Sequence, residues 1–280
     1  MLFPTTLVGS YPQPDWLIDR DKLAKRFPPS RIWRKPMTAE SPHVARSELA
    51  PTGTLRAGLN RSNFLLVSKD SPHDNPRGVA VDMARELARR LDVSVAFLNF
   101  DSPGKMADAV KTWDVAFLGA EPARAGEIDF TPAYVEIEAT YLVPAGSPLK
   151  SIAEVDRAGV RISVSNRSAY DLYLSRVLKH AELVRSDGLD ASFDRFLADQ
   201  LDALAGLRPR LAIDVERVPG ARVLDGRFTA IQQAIGTPKG RPAGARYLRE
   251  FVEDVKASGL AAELIQRNDV RGLSVAPKAS

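Results

Sequence analysis

The chain has 280 residues, 44% hydrophobic and 26% charged, enough for one large domain or two modest ones with proper cores. Its 39 basic and 35 acidic side chains leave a net charge of +4 and are interleaved, so the basic stripe of a nucleic-acid binder is missing. No stretch approaches ~18 apolar residues, so no membrane-crossing helix is expected, and the lack of cysteine excludes disulfides, thiolate metal sites and cysteine nucleophiles.

The opening MLFPTTLVGSYPQPDW begins without a charge and is broken by Pro4, Gly9, Pro12 and Pro14, unlike an export signal with its apolar run of ~7–15 residues. Prolines recur at Pro28, Pro29, Pro36, Pro42 and Pro51. Residues 1–50 are therefore expected to form a largely irregular extension, with one short helix near Asp15–Arg26 capped by Asp15. The segment SPHVARSELAPTG reads as a linker into a folded domain.

From Thr54 strands and helices alternate. TLRAGLN predicts a strand and VAVDMARELARRL an amphipathic helix with Val81, Ala84, Leu87, Ala88 and Leu91 at helical spacing. VSVAFLNF predicts a strand, GKMADAVKTW a helix and DVAFLGA a strand ending in small residues. This order implies a parallel sheet with right-handed crossovers. The second half repeats it. SIAEVDRA predicts a short helix with Ser151 and Glu154 as a capping box. VRISVS predicts a strand, and RSAYDLYLSRVLKH a helix with Tyr170, Leu174, Val177 and Leu178 on one face. ELVRS, DASFDRFLADQ and LDALAG continue as strand, helix and strand. FTAIQQAIGT predicts a strand returning to the first unit, followed by helices in PAGARYLREFVEDVKASG and LAAELIQRN. Two α/β units joined by crossing strands imply a hinge and a cleft.

LRAGLN, GVAVDMARELARRL, WDVAFLGAEPARAGEIDFTPAY, YLVPAGSPLKSIAEV and GVRISVSNRSAYDLYL occur in that order. Over about Leu55–Asn268 they resemble the solute-binding proteins of ABC importers, in the family that takes polar amino acids and related solutes. The resemblance implies an α/β, two-lobed type II periplasmic-binding fold, each lobe a mostly parallel sheet flanked by helices. Residues 51–142 with 232–272 would form the first lobe and 143–231 the second, leaving 273–280 as a tail. It also implies a small polar or zwitterionic solute, amino-acid-like or an organic acid, held in the cleft, an ABC permease as partner and a periplasmic setting, against which the missing export signal sets a cytoplasmic one if the start is correct. A monomer, no cofactor, no metal and no catalysis are expected.

Ligands of open α/β sheets sit beyond the carboxyl ends of strands, against helix starts that offer free N–H groups to anions. Ser168 and Ala169 stand at such a start, with Ser165, Asn166 and Arg167 in the turn before it. By resemblance Arg124 grips a ligand carboxylate, bidentately if geometry allows, and Asn60, Asn63 and Phe64 form polar and aromatic pocket walls. Ala120 and Glu121 complete the loop before Arg124. Gln232 and Gln233 lie where the returning strand passes the cleft. They alternate, so at most one faces it, and Gln232 is assigned. Each role has a plainer rival: a solvated arginine for Arg124, a surface carboxylate for Glu121, an N-cap for Ser168. Tyr134 and Phe130 read as core.

The pattern departs from the family at two places. Glu121 stands where a threonine is usual, and Gly206 or Leu207 where amino-acid binders carry an aspartate for the ammonium. An alternative therefore follows: a dehydratase of the cyclohexadienyl or prephenate type on the same fold, with Glu121 as general acid. A sensor that has lost transport is a third reading. His43, His73 and His180 lack metal-ligand spacing, and SPGKM lacks the second glycine of a phosphate loop. The first thirty residues resemble the start of a cobalamin-independent methionine synthase-type protein. That chemistry needs cysteine and histidine ligands to zinc, which this chain cannot supply.

Overall fold

The computed structural model describes residues 41–68 and 70–279. The helix expected near Asp15–Arg26 and the methionine synthase-like start lie outside the described residues.

The elements run α1 (Ser41–Leu49), β1 (Thr54–Asn60), α2 (Val79–Leu91), β2 (Ser94–Phe100), α3 (Pro103–Asp108), β3 (Val115–Gly119), β4 (Ile128–Phe130) and β5 (Val135–Val143). They continue as β6 (Arg161–Ser165), α4 (Ala169–Val177), β7 (Glu182–Ser186), α5 (Leu189–Ala198), β8 (Ala203–Leu207), α6 (Arg208–Asp214), β9 (Arg222–Val223) and β10 (Thr229–Pro238). α7 (Pro242–Ala257), α8 (Leu260–Arg267) and β11 (Ser274–Val275) complete the chain.

The strands lie in the order β2-β1-β3-β10-β5-β8-β6-β7. β1 is parallel to both β2 and β3, and β6 is parallel to both β7 and β8. Two antiparallel strands join these halves. β10 pairs through Thr229–Gln233 with β5 and through Gln233–Gly236 with β3, and β5 pairs on its other side with β8. The result is a two-lobed α/β fold whose lobes share β5 and β10. β3 and β8 are buried along their whole length, which is why they read as unbroken apolar runs rather than alternating ones.

Each lobe has its own core. Met106, Trp113, Leu118 and Ile128 pack together in the first lobe. Ile162, Val164, Leu174, Ala203 and Ala205 pack with Tyr141 in the second. Asp114 ties the base of the first lobe: it accepts from the Arg56 amide at 3.0 Å, from the Arg56 guanidinium at 2.9 Å and from Arg241 at 3.0 Å. Burial alone would raise its pKa, but these hydrogen bonds outweigh burial and hold the carboxyl below its ordinary range.

Several elements differ from expectation. The segment read as a linker is α1, with Ala45 and Leu49 fully buried and Glu48 accepting the Gly244 amide of α7 at 2.7 Å. That amide is one of the free donors at the α7 start, so α1 caps α7. α3 stops at Asp108 rather than running to Trp113, because Trp113 turns in to donate its indole N–H to the Met106 carbonyl at 2.9 Å. At Ser151 only a single 3₁₀ turn forms; Glu154 accepts from the Lys150 amide and Ser151 caps nothing. Val177, expected on the buried face of α4, is 42% exposed, since the helix ends there and Leu178 is extended. The expected tail pairs as β11 with β5.

Candidate functional site

β3 ends at Gly119 and the chain turns through the 3₁₀ segment Pro122–Arg124, which aims Arg124 back at the strand end. Its guanidinium donates through Nη1 to the Gly119 carbonyl at 2.7 Å and through Nη2 to the Arg167 carbonyl at 2.9 Å. The first acceptor lies in the first lobe and the second in the turn before α4, so Arg124 spans the cleft. It is 8% exposed. Burial lowers its pKa to about 10, opposed by the nearby Glu121 carboxylate and assisted by Arg167, so it stays cationic at neutral pH. Among the described residues, no carboxylate hydrogen-bonds it.

Facing Arg124 is the start of α4. Arg167 holds a left-handed conformation (φ 55°), and its amide donates to Asp171 Oδ2 at 2.8 Å. Ser168 Oγ accepts the Asp171 amide at 3.1 Å. This reciprocal cap fixes the first turn of α4, whose Ala169 and Tyr170 line the cleft. Ser168 is thus an N-cap and a wall of the cleft at once.

Between the lobes lies a cavity of about 50 Å³ lined by Asn60, Ser62, Asn63, Pro103, Gly119 and Arg124 from the first lobe, by Ser165, Ser168, Ala169, Tyr170, Leu189 and Leu207 from the second, and by Ile231 and Gln233 from β10. Three buried polar atoms among these residues lack a hydrogen bond: Asn63 Oδ1, Gln233 Oε1 and the Tyr170 hydroxyl. Burial pushes the Tyr170 hydroxyl up to about 12, against the pull of the adjacent Ser168 and Ser165 hydroxyls. Buried polar groups are normally satisfied; here three that are not stand around one cavity.

Of the residues assigned from sequence, Arg124, Asn60, Asn63, Ser165, Ser168 and Ala169 meet at this cavity. Four do not. Gln232 turns to the other side of β10 and donates to Glu136 at 2.9 Å; the strand alternation puts Gln233 in the cavity instead. Phe64 lies along a separate, more open groove of about 710 Å³ beside Arg208 and Pro209. Ala120 is occupied in pairing, its amide donating to the Gln232 carbonyl at 2.8 Å. Glu121 is buried but turned away, accepting from Arg176 of α4 at 2.7 Å. A general acid must face its substrate, and Glu121 faces a cation. Tyr134 and Phe130 stay outside the cavity lining, as expected. Tyr170 was placed on a packing face; its position in the first turn after the ligand turn was the signal that it also lines the cleft. Of the two positions where the resemblance would put an aspartate, Leu207 is the one at the cavity.

Two ion pairs clamp the cleft from outside. Arg167 reaches Asp108 of α3 through both terminal nitrogens at 2.6 and 2.7 Å, and its hydrogen bonds hold the Asp108 carboxyl below the usual carboxylate range. Its side chain lies over Gly104, where an added Cβ would stand 3.2 Å from Arg167 Cβ. The second pair is Arg176–Glu121. Gly119 permits the close approach itself: a Cβ there would stand 2.9 Å from Ala169 Cβ and 3.2 Å from Ile231 Cγ2.

Residues 55–268 match the family model of the bacterial extracellular solute-binding proteins, family 3. The chain belongs to this family. No curated protein matches this solute-binding protein significantly. Among solved structures it is similar to a mutant of ArgBP from T. maritima (21% identity, 80% of this chain and 99% of that one, TM-score 0.66). It is also similar to the ancestral amino acid-binding protein AncCDT-1, a precursor of cyclohexadienyl dehydratase (20% identity, 79% and 97%, TM-score 0.65). A third is a putative binding component of an ABC transporter from Wolinella succinogenes, complexed with lysine (20% identity, 77% and 95%, TM-score 0.65). At these identities the likeness speaks for the fold. Most such neighbours are binding proteins rather than enzymes. Among the described residues, no helix of this family member is long and apolar enough to cross a membrane.

Proposed function

We propose that this solute-binding protein captures a small carboxylate-bearing solute between its lobes and delivers it to the permease of an ABC importer, working as a monomer in the periplasm. The observation that carries the reading is Arg124: a buried guanidinium at the wall of the inter-lobe cavity, hydrogen-bonded among the described residues to carbonyl oxygens and to no carboxylate. A buried guanidinium with no carboxylate in hydrogen-bond contact is costly, and a ligand carboxylate relieves that cost while accepting from the first-turn amides of α4. In this reading the rigid bodies of closure are residues 51–142 with 232–272 and residues 143–231, flexing where β5 and β10 pass between them.

The chain is a binder rather than an enzyme in this reading. Among the described residues the cavity presents no carboxyl or imidazole to a substrate, and Glu121 is tied to Arg176. The neighbours named as ABC-transporter binding components support the partner.

Thermal unfolding of the full chain with a panel of small carboxylates and their neutral amides tests the proposal. A ligand at a hundred times its Kd stabilises by about 2.7 kcal/mol. Stabilisation by carboxylates and not by amides, lost in Arg124→Met, is the expected result. A panel without any stabilising carboxylate overturns the proposal.

A further inference from the structure

We infer that the cavity takes a small 2-hydroxy acid, a monoanion without an ammonium group, rather than an α-amino acid. The inference rests on the capture reading above and sharpens its ligand.

Charge comes first. Around the cavity stand Arg124, Arg167 and Arg176 with the carboxylates Asp108 and Glu121, and behind Tyr170 the Asp171–Arg185 pair and Arg210 with Asp190 and Asp214. Asp108 is taken by Arg167 and Glu121 by Arg176, so among the described residues that line the cavity Arg124 is a cation with no carboxylate in hydrogen-bond contact. One negative charge balances it. A zwitterion brings in as much positive charge as negative, so the site would stay cationic and an ammonium would be buried without a carboxylate partner.

The second-lobe wall agrees. Leu207, at the end of β8, reaches the cavity together with Leu189, Ala169 and Ile231. These belong to one apolar cluster. An ammonium against that wall would lose its hydration to hydrocarbon, whereas the backbone of a short hydroxy acid would not.

The unsatisfied atoms ask the ligand for a hydrogen-bond donor beside its carboxylate. Asn63 Oδ1 and Gln233 Oε1 are acceptors in want of a donor, and the Tyr170 hydroxyl can give or take a proton. A hydroxyl donates to one of these acceptors and accepts from Tyr170, and an ammonium can donate to both, so the choice between the two rests on charge and on the apolar wall. Size sets the limit: about 50 Å³ holds roughly four water-sized groups, so the ligand is limited to a few heavy atoms.

Calorimetric titration of the full chain with glycolate and glycine, and with lactate and alanine, decides the matter, because each pair differs only in hydroxyl against ammonium. The hydroxy acid of each pair is expected to bind about tenfold tighter or more. Glycine or alanine binding as tightly as its counterpart overturns the inference and leaves the capture reading standing. Binding by none of the four also overturns it, and the carboxylate panel then decides separately whether the capture reading falls too. Leu207→Asp supplies the missing counter-charge and is expected to move the lactate-to-alanine preference toward alanine by about tenfold. A folded Leu207→Asp protein with unchanged preference contradicts the charge argument; if it fails to fold, the wild-type titrations still decide.

Discussion

Removing both clamping carboxylates, with Asp108→Asn and Glu121→Gln, is expected to open the cleft without unfolding either lobe. The Arg167–Asp108 pair is bidentate at 2.6 and 2.7 Å, but its side chains are 50% and 59% exposed, so it contributes about 0.5–1 kcal/mol. Glu121 is buried while Arg176 is 41% exposed, and loss of that charge costs about 1 kcal/mol. Together about 1.5–2 kcal/mol shifts the closed-to-open ratio roughly 10- to 30-fold. Because the chain has no cysteine, spin labels can be placed at Lys111→Cys in the first lobe and Glu182→Cys in the second with no other substitution. Electron–electron distance measurement should then give a short, narrow distribution for the labelled parent and a longer, broader one for the double variant. Raising the salt to about 0.5 M should move the parent part of the way toward the variant, as screening weakens exposed pairs first. Identical distributions for parent and double variant would refute the reasoning.

Other outcomes follow from single positions. Gly119→Val places branched carbons where even a Cβ would stand 2.9 Å from Ala169; it is expected to block closure and abolish ligand-induced stabilisation while unfolding near the parent temperature, and retained stabilisation by ligand counts against it. Gln233→Leu should weaken ligand binding about tenfold by removing an unsatisfied polar wall, whereas Gln232→Leu should leave it within a factor of about two; titration of both variants separates the two assignments. Asp114→Asn should lose about 3 kcal/mol in urea unfolding at neutral pH, since it leaves Arg56 and Arg241 without their shared anion. The folded pKa of Asp114 lies below its unfolded value near ~3.9. Its contribution is therefore full above that value and lost as pH falls through the folded pKa, and the gap between parent and variant should narrow only below about pH 4.

What the sequence made legible was whatever depends on local period. TLRAGLN and VAVDMARELARRL coincide with β1 and α2 because alternation and helical spacing run unbroken through them. The site turn was legible for the same reason: Ser165, Ser168 and Ala169 follow a strand and open a helix, wherever the rest of the chain lies. What escaped depends on partners distant in sequence. α1 sits among prolines, and Gly244 and its helix, some 196 residues on, give it a face to bury. The apolar spacing of GKMADAVKTW suggested a longer α3, but Trp113 is claimed by the first-lobe core. The choice between Gln232 and Gln233 turned on strand register: Gln233 stands opposite Gly119, at the cleft end of β3. Glu121 read as a pocket carboxylate because its neutraliser, Arg176, lies 55 residues away on the other lobe.

The account depends most on Arg124 as the anchor of a ligand carboxylate. Calorimetric titration of lactate into the parent and into Arg124→Met, with the unfolding free energy of both ligand-free proteins measured alongside, tests it directly. Loss of a buried charge-assisted contact predicts binding at least about thirtyfold weaker in the variant. Its ligand-free stability should stay within about 1 kcal/mol of the parent, since the cost of burying the charge offsets the two hydrogen bonds it makes to carbonyl oxygens. Equal lactate affinity in the two proteins would contradict the account.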